Sequence, residues 1–171
     1  MDEPAVRAGK GHNLQYSQGF DLEAKAFNKF RATYCKALGA DKITAVTRGP
    51  LDTAAGIDAL ATIEGNLYPV SLRHRRTDYR SFTLSRHLSD KASEAHKWLN
   101  TPRGGLKPYY HLQTSEIKES RYRLILVNIE ALAEWLRSID MERLYKSRLK
   151  AYEVKLIDVP EGIGLKEWEI F

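Results

Sequence analysis

Cysteine occurs once in the 171 residues, as Cys35, so an intrachain disulfide framework is excluded and a cysteine-based zinc site is not expected. No apolar run approaches the ~18 residues that cross a bilayer. Asn-x-Ser/Thr sequons are missing, and Met1-Asp-Glu-Pro is acidic with no apolar stretch behind it, unlike a secretory signal. A reducing, cytoplasmic setting is therefore expected, with no membrane partner. The sequence also lacks a Walker A loop, G-x-G-x-x-G, G-x-S-x-G and H-E-x-x-H, which removes the usual phosphate-loop, dinucleotide, serine-hydrolase and zincin chemistries. Its histidines, His12, His74, His87, His96 and His111, lack zinc spacing. What is present is ordinary for a globular chain: 43% hydrophobic and 29% charged residues in a length that suits one domain.

The formal net charge of +5 is localised. Residues 1–72 carry eight basic and eight acidic residues, and residues 104–171 carry eleven of each. The excess lies between Arg73 and Arg103, where Arg73, Arg75, Arg76, Arg80, Arg86, Lys91, Lys97 and Arg103 meet only Asp78, Asp90 and Glu94. Such focused basic charge is the footprint of polyanion binding, most often nucleic acid, although a basic solvated face has the same composition. Tyr79, Phe82, Tyr109 and Tyr110 accompany this segment and suit either base stacking or the core.

Residues 1–17 lack periodicity and read as a flexible arm. Phe20, Ala24, Phe27, Phe30, Tyr34 and Leu38 recur at helical spacing, predicting a helix from about Asp21 to Leu38 stopped by Gly39. Three strands follow, Ile43–Arg48, Gly56–Glu64 and Leu67–Arg75, the last two as a hairpin turned at Gly65-Asn66. A strand at Ser81–Ser85 precedes a helix capped by Ser89 or Asp90 and ending near Leu99. Tyr109–Thr114 and Tyr122–Val127 read as strands, Ile129–Ile139 and Met141–Leu149 as helices, Tyr152–Val159 as a strand and Leu165–Phe171 as a short aromatic finish. This order predicts an α+β or α/β three-layer domain with a central sheet flanked by helices.

Two carboxylates stand out. Glu23 lies close to the apolar stripe of the first helix, where a charge needs a cation, a metal or an edge position in water. Asp58 sits within a strand of small and apolar residues, although Asp is depleted in strands. On the paired strand, alternation places Ser71, Arg73 and Arg75 on one face and Val70 and Leu72 on the other. A carboxylate beside arginines is either a structural ion pair or an acidic metal ligand next to cations that hold a phosphodiester.

Glu23 on the first helix, Gly56-Ile57-Asp58-Ala59, a turn, and Tyr68-Pro-Val-Ser71-Leu-Arg73-His74-Arg75 together resemble the PD-(D/E)xK nuclease superfamily, which includes restriction enzymes, Holliday-junction resolvases and some homing endonucleases. The similarity runs from about residue 19 to 137. The resemblance implies a restriction-endonuclease-like core with a mixed central sheet, in which an Asp opens the second core strand and Glu-x-Lys or Gln-x-Lys follows on the third. Asp58 matches that Asp and Glu23 the first-helix acid, implying that both hold Mg²⁺ or Mn²⁺ beside the scissile phosphate. The chain departs from the pattern where Ser71 and Arg73 replace the acid and the Lys. A serine hydroxyl is a weak ligand for a hard cation, and arginine cannot act as a base, though it can stabilise charge on a phosphate. The expected function is a metal-dependent DNA endonuclease with Asp58, Glu23, Ser71 and Arg73 as catalytic residues. Arg75, Arg76, Arg80, Arg86, His74 and Lys91 would contact the nucleic acid, double-stranded or branched DNA. The alternative is a catalytically inactive, nuclease-like nucleic-acid-binding protein. By analogy, cutting both strands implies a homodimer or tetramer.

Overall fold

The computed structural model describes residues 8–46, 55–86 and 93–170. Helix α1 (Ala8–Leu38) is followed by β1 (Lys42–Ala45), β2 (Ala59–Ile63), β3 (Asn66–Arg75), β4 (Ser81–Ser85) and α2 (Glu94–Asn100). Then come β5 (Tyr110–Lys118), β6 (Arg121–Asn128), α3 (Ile129–Arg137), β7 (Tyr145–Lys146), β8 (Ala151–Lys155) and β9 (Lys166–Ile170). The chain is thus mixed α/β. Its central sheet is six-stranded and mixed, in the order β1-β2-β3-β5-β6-β9, and β4-β8-β7 form a smaller sheet. Only β3 and β5 run parallel in the central sheet, and the crossover between them carries β4 and α2, as a parallel connection requires a long excursion. Among the described residues, no helix is long and apolar enough to cross a membrane.

Each face of the central sheet carries its own core. Ala26, Phe27, Phe30 and Tyr34, at helical spacing on α1, pack on Ile43, Ala59, Ala61, Val70, Leu112 and Leu124. The intervening residues of β6, Ile125 and Val127, face the other way into a cluster with Phe82, Leu84, Trp98, Leu132, Leu136 and Val154. Lys107 is buried at 6% exposure because its ammonium has three partners. It donates to the carbonyls of Trp98 (3.1 Å) and Thr101 (2.7 Å) and pairs with Glu130 (2.9 Å). Those carbonyls are orphan acceptors at the end of α2, so one lysine closes α2 and ties it to α3.

Several boundaries differ from the sequence-based expectation. α1 begins at Ala8, so residues 8–17 of the expected arm are helical, against the low helix propensity of Gly9, Gly11 and Asn13; residues 1–7 lie outside the described residues. It ends as predicted, with Gly39 at φ +64°, Gly39 N–H donating to Lys36 and Ala40 N–H to Cys35, the paired bonds of a Schellman stop. The β2–β3 hairpin turns at Glu64-Gly65 rather than Gly65-Asn66, since Ile63 pairs with Asn66 and both turn residues have positive φ. Helix α2 is capped by Ser93, whose hydroxyl accepts from His96 N–H; Ser89 and Asp90 lie outside the described residues. In place of a helix over 141–149 there is one 3-10 turn, Met141–Leu144, before β7. The strand expected over 152–159 gives way after Lys155 to a 3-10 turn, Leu156–Asp158.

Candidate nucleic-acid and metal site

A cleft of about 170 Å³ opens between α1 and the edge of the central sheet. Glu23, Asp58, Arg73 and His74 line it together with Phe27, Tyr34 and Leu72. Asp58 stands immediately before β2, where the ladder holds its backbone on both sides. Its N–H donates to Val70 and its carbonyl accepts from Val46, each at 2.9 Å. Its carboxylate accepts a 2.7 Å hydrogen bond from the Leu72 N–H, which fixes the side chain against β3. Glu23 reaches the same cleft from an exposed position on α1.

The β3 residues that belong to this side are Leu72 and His74, not Ser71. Leu72 packs against the α1-side core, and the His74 ring stacks on Phe30 with centroids 5.9 Å apart. His74 Nδ1 lies 2.8 Å from Thr114 Oγ1, which in turn lies 3.4 Å from the Tyr34 hydroxyl. Burial lowers the His74 pKa below its usual value, with Lys29 and Arg76 adding to the effect and Glu116 opposing it, so the imidazole is neutral at pH 7. Burial likewise pushes the Tyr34 phenol up to about 12. Tyr34 and Thr114 therefore act as neutral hydroxyls that hold the ring of His74.

Ser71, at 4% exposure, turns to the opposite face, where its hydroxyl lies 3.1 Å from Nδ1 of fully buried His111. At that burial the pair meets protein rather than substrate. Arg73 contributes to the cleft lining, but its guanidinium donates to the Thr83 carbonyl and pairs with Glu94 at 3.2 Å. Arg75 also donates to Thr83 and has its pKa lowered, first by burial and then by Arg73. A strand's side chains alternate, so a displacement of one residue exchanges faces. The positions expected to hold Glu-x-Lys thus fall on the far side of β3, and Leu72-x-His74 stands on the near side.

No protein family, curated protein or solved structure matches this chain.

The basic segment divides in the same way. Arg86 is held by Glu142 at 3.0 Å and lies over the Tyr145 ring. Arg76 and Arg80 are exposed, with Arg80 3.7 Å from Glu167. Lys91 lies outside the described residues. Among the described residues there is no cluster of three or more His, Cys, Asp or Glu able to hold a metal. A divalent cation in the cleft would rely on Glu23 and Asp58. Two carboxylates fit Mg²⁺, which is usually bound through one or two carboxylates with water and substrate phosphate completing its shell; they do not make the all-protein cage typical of Ca²⁺.

His74, expected as a nucleic-acid contact, lines the cleft with its ring held by Thr114 and Phe30. Its signal was the alternation that places it with Val70 and Leu72. The Tyr34–Thr114 support had no sequence signal, because Thr114 reaches His74 only through the parallel pairing of β3 with β5.

Proposed function

We propose that this protein is a metal-dependent phosphodiesterase acting on DNA, an endonuclease of restriction-endonuclease-like type. The observation that carries this reading is one cleft lined by Glu23, Asp58 and His74. Element order supports it: Asp58 precedes the second strand, the third strand borders the cleft, and a helix then leads to a strand parallel to the third. Glu23 and Asp58 would hold Mg²⁺ or Mn²⁺, which supplies Lewis-acid stabilisation of phosphate charge when bound. Water attacks phosphorus, the bond to the leaving oxygen breaks, neutral His74 accepts the water proton, and solvent reprotonates the leaving oxygen. Arginine could not take that proton, and Arg73 is occupied by Glu94.

The test is incubation of wild type, Asp58→Ala and His74→Ala with supercoiled plasmid and branched DNA in Mg²⁺, Mn²⁺ or EDTA. Metal-dependent cutting, reduced at least ~100-fold in both variants with DNA binding retained, is the expected result. Wild-type cutting by Asp58→Ala would refute the assignment. A second reading, a nuclease-like protein that binds nucleic acid without hydrolysis, is favoured by one observation. The third strand brings Leu72 to the cleft, where the superfamily resemblance implies a metal-ligating acid. Binding without cutting in every metal would select it.

A further inference from the structure

Residues 76–80, between β3 and β4, form a turn of unusual construction for an exposed connection. Asp78, at its centre, is turned inward. One carboxylate oxygen accepts from the Arg80 N–H at 3.1 Å, and the other pairs with Arg123 Nε at 2.8 Å. The two side chains retain only 7% and 10% exposure. Arg123 belongs to central strand β6 and also contacts Glu167 of β9 at 3.2 Å, so the turn is pinned to the sheet rather than hanging from it. Arg80 takes φ +50°, a left-handed conformation uncommon outside glycine, and its carbonyl accepts from Leu156 N–H at 3.0 Å. The residues beside Asp78 are consequently directed outward. Tyr79 is 66% exposed, and the bond to Leu156 brings Ile157, 88% exposed, alongside the turn. Arg76 and Arg80 flank the tyrosine in sequence and are exposed.

We infer that this turn is a stacking platform for an unpaired base of single-stranded or branched DNA, with Tyr79 as the stacking ring and Arg76 and Arg80 as phosphate contacts. An exposed aromatic ring carried on a fixed turn and flanked by cations is the arrangement that binds a base without reading its identity. Pinning by Asp78 and Arg123 removes much of the ordering cost that a loose loop would incur on binding. Duplex DNA, with its bases already stacked, offers the ring nothing comparable, so the platform selects substrates with unpaired nucleotides. Tyr79 is five residues beyond His74, at most ~17 Å along an extended chain. That bounds the separation at about five nucleotide steps at the B-form spacing per strand. The inference rests on the nucleic-acid reading above but not on hydrolysis.

The deciding experiment is fluorescence anisotropy in EDTA at low salt with wild type, Tyr79→Ala and Tyr79→Phe. The probes are a labelled mixed-sequence single strand of about 15 nucleotides, long enough for one binding site, its duplex, and the RNA of the same sequence. Expected is a loss of about 5- to 150-fold for Tyr79→Ala on single-stranded DNA, near-wild-type affinity for Tyr79→Phe, and unchanged duplex binding. Equal affinity of Tyr79→Ala and wild type for the single strand would overturn the inference. So would equal losses on strand and duplex, a tyrosine dependence confined to RNA, or no single-strand binding by wild type. Because EDTA removes any cutting, an Asp58→Ala protein that still cleaves would defeat the hydrolysis reading and leave this result untouched.

Discussion

Asp78→Ala tests at once how the β3–β4 turn is held and what holding it achieves. The wild-type carboxylate sits 2.8 Å from Arg123 Nε, and both side chains are at or below a tenth exposed. Removing one member of a buried ion pair costs ~3–5 kcal/mol, mostly because the surviving charge is stranded. Arg123 is not wholly stranded, since Glu167 remains 3.2 Å from its other nitrogen, which returns part of that cost. The accompanying loss of the Arg80 N–H bond occurs at an exposed position and adds little. The net expectation is ~2–4 kcal/mol of lost stability, or a Tm about 4–16 °C lower for a chain of this size. Urea unfolding with a common m-value gives the free energy directly. Asp78→Asn, which keeps an acceptor for Arg80, should lose less. Asp78→Ala combined with Arg123→Met should recover stability relative to Asp78→Ala alone, because an apolar pair replaces an unpaired charge. Single-stranded DNA affinity should fall with Asp78→Ala as with Tyr79→Ala, without any change at the ring itself. A destabilisation below ~1 kcal/mol, or a double variant as unstable as the sum of its parts, would refute the account of a buried anchoring pair.

His111 makes stability acid-sensitive. Burial, reinforced by Arg73 and Arg75, lowers its pKa to about 3, whereas the unfolded imidazole takes its proton near ~6.5. The folded form therefore binds fewer protons below ~6.5, so its contribution is full above that pH and is lost as pH falls toward 3, at up to ~1.36 kcal/mol per pH unit. Unfolding free energies at pH 7, 6, 5 and 4 should show that slope in wild type and a flatter profile in His111→Gln; parallel profiles would defeat it. The salt dependence of DNA binding separates a surface of eight cations from one of two. With Arg76 and Arg80 as the phosphate contacts, log K for a single strand should fall against log salt with a slope of about −1.4, against about −5.6 for all eight basic residues of the segment. A measured slope steeper than about −4 would mean that arginines paired within the fold are released to the nucleic acid.

The elements most legible in the sequence were those whose own residues specify them. Phe27, Phe30 and Tyr34 announce the buried stripe of α1, and Gly39 its end. Alternation through Ala59 and Ala61 gave the inward face of β2 correctly. Register was less legible: the hairpin moved by one residue because Glu64 accepts a positive φ ahead of Gly65, leaving Ile63 paired with Asn66. The site was half legible. Glu23 and Asp58 reach one cleft, as their placement near apolar stripes suggested, but the basic segment could not be sorted from sequence alone. Which arginines are held within the fold depends on Glu94 and Thr83, and Arg86 is paired at the surface by Glu142, partners between 8 and 56 residues away.

That inward turn explains why β3 is so basic. The side of the sheet carrying Ser71, Arg73 and Arg75 meets Thr83, Glu94, His111 and Gln113 and is a polar seam between β4 and the central sheet. Gln113 continues it by donating to the Ser81 carbonyl at 2.9 Å. A neutral histidine is favoured there, since a protonated ring would add a fully buried cation beside two half-buried arginines. The seam in turn constrains the cleft. With the Arg73 and Arg75 guanidiniums bonded behind the sheet, β3 brings Leu72, the stem of Arg73 and His74 to the cleft, and of these only His74 carries a group able to act as a base at pH 7. The cleft thus places two carboxylates, Glu23 and Asp58, on the same lining as the imidazole held by Thr114. Substituting Lys for Arg73 would accordingly disturb the Glu94 and Thr83 contacts before it altered the cleft.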